Sequence, residues 1–281
     1  MAARDVQVLL GELAAFAAGT GLRRVTHSYG RAPDQVAELV ASPQASALQP
    51  VAVLLHGGFW RARFDRSTMA AIAVDLARRG WASWNVEYRR VGTGGGPLEA
   101  VTDVRAAIAH LERVHDQLDL DRIVVIGHSA GGQLALCATG ALTESAAGQP
   151  RANAVVSLAG VCDLETAARE RIGEDATVQF MGGTPDEVPE LYAAADPLRR
   201  LPTGASVLLV HGDRDGRVPL AQSRAYLRAA QNEGERCELL ELAGVDHFDV
   251  IDPRTGAWGA VAGRLRELAG LAGDPDGAHS A

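Results

Sequence analysis

The stretch RIVVIGHSAGGQLALCATGAL, residues 122–142, changes its repeat in the middle. Its first five residues are rich in β-branched side chains and read as a buried strand, whereas QLALCATGAL has the spacing of a helix. Between them lies GHSAGG, a G-x-S-x-G pattern centred on Ser129. A strand that turns straight into a helix here forms a nucleophile elbow. The turn is so tight that Gly127 and Gly131 must lack side chains, and Ser129 is held in a strained conformation with its hydroxyl presented. The unpaired N–H groups of the helix's first turn, Ala130 first, then face any negative charge that develops beside the serine. In a chain with 31 glycines the bare pattern is weak, so the weight falls on its surroundings.

Working outward, short β-rich runs alternate with helical patterns. Residues 22–29 and 36–41 read as an opening hairpin, and 51–55, 82–87, 122–126, 154–158, 206–210 and 237–242 as the main strands. Helices are expected over 65–79, 97–115, 130–140, 219–231 and 255–269, several of which open with Asp, Ser, Thr or Pro. The class is therefore α/β: a mostly parallel sheet with helices on both faces. No internal repeat or long linker divides the chain, and one domain over 1–281 is expected. Residues 163–196 break the rhythm with charge and short helical pieces. An insertion after a strand's carboxyl end belongs over the ligand crevice, so this segment reads as a small cap; the alternative is a surface excursion that never meets substrate. The last ten residues, 272–281, read as a disordered tail.

Two further strand ends supply the rest of a hydrolytic site. HGGFW, from His56 to Trp60, follows the apolar run VAVLL, and its adjacent glycines free backbone N–H groups. Gly57, Gly58 and Phe59 are the candidate oxyanion donors here, with His56 as a brace. Strand SVLLV runs into HGDRDGRVP and strand CELLEL into AGVDHFD, which places an aspartate and then a histidine in successive loops. Asp215 is preferred as the acid over Asp213, which suits support of the turn, and His247 as the base; His211 reads as a loop brace. Trp60 either lines the pocket or packs behind the oxyanion loop. Arg61 and Arg63 either meet a substrate carboxylate or form a solvated pair.

Composition narrows the chemistry. A formal net charge of −8 disfavours nucleic acid as a partner, and a small-molecule substrate fits better. All 27 basic residues are arginine, so Schiff-base, pyridoxal-phosphate and P-loop lysine chemistry are excluded. GTGGG, residues 92–96, lacks the spacing of a dinucleotide fingerprint and reads as a mobile loop. Cys137, Cys162 and Cys237 match neither a disulfide framework nor a zinc site and read as small apolar residues. The N-terminal stretch carries Arg4, Asp5 and Glu12; it reads as an amphipathic helix with Val6, Leu9, Leu10, Leu13 and Phe16 on one face, and neither a leader nor a membrane span is expected there. A cytoplasmic setting without metal, cofactor or membrane is expected, with a homodimer left open.

Together HGGFW, NVEYRRVG followed by PLEAVTDVRAAIAHL, GHSAGG, HGDRDGRVP and DHF resemble the kynurenine formamidase (arylformamidase) branch of the α/β-hydrolases, over roughly residues 20–270. The HGG-x-W element is shared with related carboxylesterases. The resemblance implies a Ser129–Asp215–His247 triad, an oxyanion hole of Gly57, Gly58 and Ala130, and hydrolysis of a small aryl formamide, with a carboxylesterase as the alternative; Phe59 and Trp60 are the expected substrate contacts. One departure stands out: SYGRAPD leads into VAELVAS where the family often has a Leu-Asp-Leu-Tyr strand.

Overall fold

The computed structural model describes residues 5–18, 21–114, 117–142 and 150–271, with the side chains of 140–142 excepted. The expected tail at 272–281 and the last residue of the expected 97–115 helix lie outside the described residues. The strands are β1 (Arg23–Ser28), β2 (Val36–Ala41), β3 (Gln49–Leu55), β4 (Ala82–Val86), β5 (Leu118–His128), β6 (Ala152–Leu158), β7 (Ser206–Gly212) and β8 (Cys237–Leu242). They form one sheet in the order β1-β2-β4-β3-β5-β6-β7-β8. The β1–β2 and β2–β4 pairs are antiparallel and all others parallel, so the hairpin read from sequence caps one edge of a parallel sheet.

The helices are α1 (Val6–Ala17), α2 (Ala70–Arg78), α3 (Pro97–Ala109), α4 (Ala130–Leu142), α5 (Leu164–Arg169), α6 (Ala176–Met181), α7 (Pro189–Ala195), α8 (Ala221–Asn232) and α9 (Gly256–Leu268). Central strands are buried on both faces, which is why they read as unbroken apolar runs. Their alternate residues feed two cores. Val51, Val53, Leu55, Val125 and Val155 pack with α3, α4 and α8; Ala52, Leu54, Val124, Ile126 and Val156 pack with α2 and α9. Helix α1 joins the second layer through Leu9 and Leu13 against Ala71. Where boundaries differ from the sequence reading, local chemistry explains it. The expected 65–79 helix opens as a 3₁₀ turn, Arg66–Met69, with the Asp65 carboxylate accepting from Ser67 N at 2.8 Å. The expected 97–115 helix ends at Ala109 and tightens into a second 3₁₀ turn, His110–Arg113. The 92–96 loop closes on itself, with Gly95 N donating to Arg90 O at 3.0 Å. Among the described residues no helix is long and apolar enough to cross a membrane.

Candidate active site

The site lies where β3, β5, β7 and β8 end. Ser129 sits between β5 and α4 at φ 55°, in the left-handed region that costs a non-glycine residue about 1–2 kcal/mol. The surroundings impose that conformation. A Cβ on Gly127 would meet Gly131 O at 2.0 Å, and one on Gly131 would meet Leu55 O at 2.2 Å. Ser129 N is tied to Leu158 O at 2.8 Å, so the turn is clamped from the neighbouring strand.

The loops after β7 and β8 bring Asp215 and His247 together. His247 Nδ1 stands 2.7 Å from Asp215 Oδ2, and the Asp215 carboxylate is fully buried. Its other oxygen accepts from Arg217 N at 2.7 Å and Val218 N at 2.8 Å. A second histidine faces the same carboxylate: His211 Nε2 lies 3.2 Å from Asp215 Oδ2 and 2.9 Å from Val218 O. Both are acceptors, so Nε2 carries the proton, and Nδ1 is left to accept from Ser223 Oγ at 2.8 Å. Burial alone would raise the Asp215 pKa, but the bonds from His211, His247 and Val218 overcome it and hold the group well below the usual carboxylate range. Asp213 accepts from Gly244 N at 2.6 Å and so ties the two loops together, the supporting part read from sequence.

Sequence reasoning passed over His128, the variable residue of the elbow. It is buried, and its Nε2 meets His247 O at 2.9 Å, so it fixes the backbone of the neighbouring histidine. Burial pushes its pKa down to about 3, which keeps the ring neutral beside His247. The only signal was its place inside G-x-S-x-G, which specifies position but no role.

The loop after β3 presses onto this centre. A Cβ on Gly57 would lie 2.9 Å from His128 Nδ1 and 3.0 Å from the Ser129 Cβ. Gly58, Phe59 and Trp60 all have positive φ, of 111°, 53° and 53°. Among the described residues the N–H groups of Gly57, Gly58, Phe59 and Ala130 donate to no protein acceptor, which suits groups waiting for an oxyanion. His56 braces the loop as expected: Nε2 meets Glu87 Oε1 at 3.0 Å, and the ring stacks on Tyr88 at 4.4 Å between centroids.

Ser129, His247, Gly57, Gly58 and Phe59 line one cavity of about 580 Å³. Trp60 does not, which corrects its placement as a substrate contact. It is 1% exposed, stacks on Phe180 at 4.4 Å and donates from Nε1 to Gln133 Oε1 at 3.0 Å, so it is the packing behind the loop. The 163–196 segment folds as α5, α6 and α7, and its Arg171, Gly173 and Glu174 wall the cavity instead of straying over a distant surface. Arg61 is no solvated partner of Arg63; its Nη2 donates to Gly173 O at 3.0 Å and Glu174 O at 3.2 Å, docking that segment. Val6, Gln7 and Leu10 of α1 complete the wall, a use of the N-terminal helix that its periodicity did not reveal. Cys137 and Cys162 are buried thiols, pushed up to about 12 by burial, as fits packing residues.

Comparison with known proteins agrees with this geometry. Residues 38–229 match the family model BD-FAE. Esterase LipC of Mycobacterium tuberculosis is 31% identical over 230 residues, covering 74% of this chain. The chain spans only 55% of that relative's length. Kynurenine formamidase of Drosophila melanogaster is 24% identical over 227 residues, covering 78% of this chain and 72% of the relative. Among solved structures, esterase B from Lactobacillus rhamnosis superposes with a TM-score of 0.77 at 19% identity, covering 94% of this chain and 92% of that one. The sheet order, the elbow and the family match together place the chain in the BD-FAE family of the α/β-hydrolase superfamily.

Proposed function

We propose that the chain is a serine carboxylesterase that cleaves small esters through an acyl-enzyme. The observation that carries this reading is the 2.7 Å bond between His247 and a buried, ionised Asp215, in a cavity shared with the strained Ser129. With Nδ1 committed to Asp215, His247 Nε2 is the basic nitrogen that takes the Ser129 proton as the oxygen attacks the ester carbonyl. Gly57, Gly58 and Ala130 N–H groups stabilise the tetrahedral oxyanion, and the same imidazole then protonates the leaving alcohol. Water repeats the sequence and releases the acid. The name of the LipC relative supports the ester reading.

A second reading keeps the machinery and changes the substrate to an aryl formamide. It is favoured by the formamidase relative, of which this chain covers 72%. The two are separated by kcat/KM for p-nitrophenyl acetate beside N-formylkynurenine, with Ser129→Ala as control. Turnover of the preferred substrate is expected to fall by roughly 10⁴-fold or more in Ser129→Ala. Unchanged turnover refutes the nucleophile, and a strong preference for the formamide moves the function to arylformamidase.

A further inference from the structure

The cavity wall differs in charge from the chain around it. The whole chain has 35 acidic residues and a net charge of −8, yet the lining holds Arg61, Arg63, Arg171 and Arg217, with Glu174 the one carboxylate among the lining residues. These arginines are not equivalent. Arg171 is forked by Asp175 at 2.8 and 2.6 Å, so its charge is answered. Arg61 is half-buried and held only by the carbonyls of Gly173 and Glu174. Neutral carbonyls fix the guanidinium without cancelling its charge, and among the described residues no carboxylate pairs with it. Its Nε and Nη1 remain uncommitted there. Arg63 and Arg217 are exposed at the same cavity and likewise lack an acidic partner among the described residues.

We propose that Arg61, flanked by Arg63 and Arg217, forms an anion subsite, and that the substrates are acyl compounds that carry a carboxylate. The proposal rests on the hydrolase reading above. A guanidinium whose geometry is already fixed loses little freedom on meeting a carboxylate, and its planar fork matches two oxygens. Cations along a concave, low-dielectric wall also raise the local concentration of an anionic substrate, an effect that salt weakens. The chain's net negative charge makes that contrast sharper, because the molecule as a whole repels anions.

The test uses the ratio of kcat/KM for charged and neutral esters. p-Nitrophenyl butyrate is the neutral reference. p-Nitrophenyl hemisuccinate carries the carboxylate on the acyl side, and 5-acetoxy-2-nitrobenzoate carries it on the leaving group. The wild-type ratio is expected to exceed one for at least one of the charged esters and to fall as salt rises from about 0.02 to 0.5 M. Arg61→Gln should lower it about tenfold, chiefly through KM, with Arg61→Lys recovering part. Arg63→Gln and Arg217→Gln should each lower it about threefold. Loosening of the docked segment slows both esters together, so the ratio isolates the charge. Ratios at or below one for both charged esters, or ratios that ignore all three positions and salt, overturn the subsite. Loss of Ser129-dependent hydrolysis of the neutral ester as well would instead overturn the hydrolase reading.

Discussion

Two buried aspartates, one in the loop after β7 and one at the end of the α5–α7 segment, meet opposite fates. Asp215 has a fully buried carboxylate and Asp196 is 1% exposed, so water helps neither. Asp196 receives one backbone N–H on each oxygen, from Glu165 at 3.1 Å and Leu198 at 3.0 Å. Burial outweighs those bonds, and with Asp163 nearby its pKa is pushed up to about 7. Asp215 receives two backbone N–H groups on one oxygen and two imidazoles on the other. There the donors win. A buried carboxylate thus stays ionised through the donors aimed at it, and the loop HGDRDGRVP with its partner histidines supplies four.

Replacing Asp215 should give the largest effect. Asp215→Asn keeps the shape, but its amide nitrogen can donate to His247 Nδ1 and so favour the wrong tautomer; kcat should fall by about 10⁴-fold while the fold survives, as stopped-flow ester hydrolysis and circular dichroism would show. A loss of less than tenfold would break the contrast, because Asp215 would then be no more consequential than Asp196. The next test strips one donor. His211→Leu removes the second imidazole and leaves Val218 O and Ser223 Oγ without it, for a stability loss of about 2 kcal/mol. With one donor gone the Asp215 carboxylate is held less far below the ordinary carboxylate range, so the acid limb of the kcat/KM profile should move to higher pH and activity on that limb fall about tenfold. His211→Gln, which returns an N–H near Nε2, should restore part of both; a profile unmoved in the leucine variant would reduce His211 to packing.

How much of this was legible in sequence depended on the range of the interaction. The strand-to-helix switch at Gly127 and the loops at Asp215 and His247 are local patterns, so their stations at the ends of β5, β7 and β8 could be read directly. The orientation of Trp60 could not, because it depends on Phe180 and Gln133, residues far along the chain that no local period connects to it. The same holds for Arg61, whose partners are carbonyls more than a hundred residues away, and for Val6 and Leu10, whose apolar spacing predicts a buried face but not what that face covers. His211 reads as a brace from its place at a strand end; that it braces the acid itself depends on the fold of the loop back over β7.

Asp196 gives the smallest and most specific effect, because it should alter stability and leave chemistry alone. Its folded-state pKa of about 7 lies above that of an ordinary aspartate, so between about pH 4 and 7 the unfolded chain releases this proton while the folded chain retains it. Stability from this group is therefore fully present below the ordinary carboxylate pKa and declines as pH rises, by at most roughly 1.4 kcal/mol per pH unit, until Asp196 ionises in the folded state as well. Asp215 has the opposite sign: its depressed pKa contributes stability above the ordinary carboxylate value that is lost as pH falls through the folded one. Asp196→Asn cannot ionise, and it leaves either Glu165 N or Leu198 N without an acceptor, a constant cost of about 1 kcal/mol. The decisive quantity is thus the slope. Denaturant unfolding of both proteins from pH 4 to 8 should show the wild type losing ground to Asp196→Asn as pH rises, then running parallel above about pH 7, with ester hydrolysis alike in the two. A stability difference that stays constant with pH would mean that Asp196 is ionised throughout, and that two backbone donors suffice where Asp215 has four.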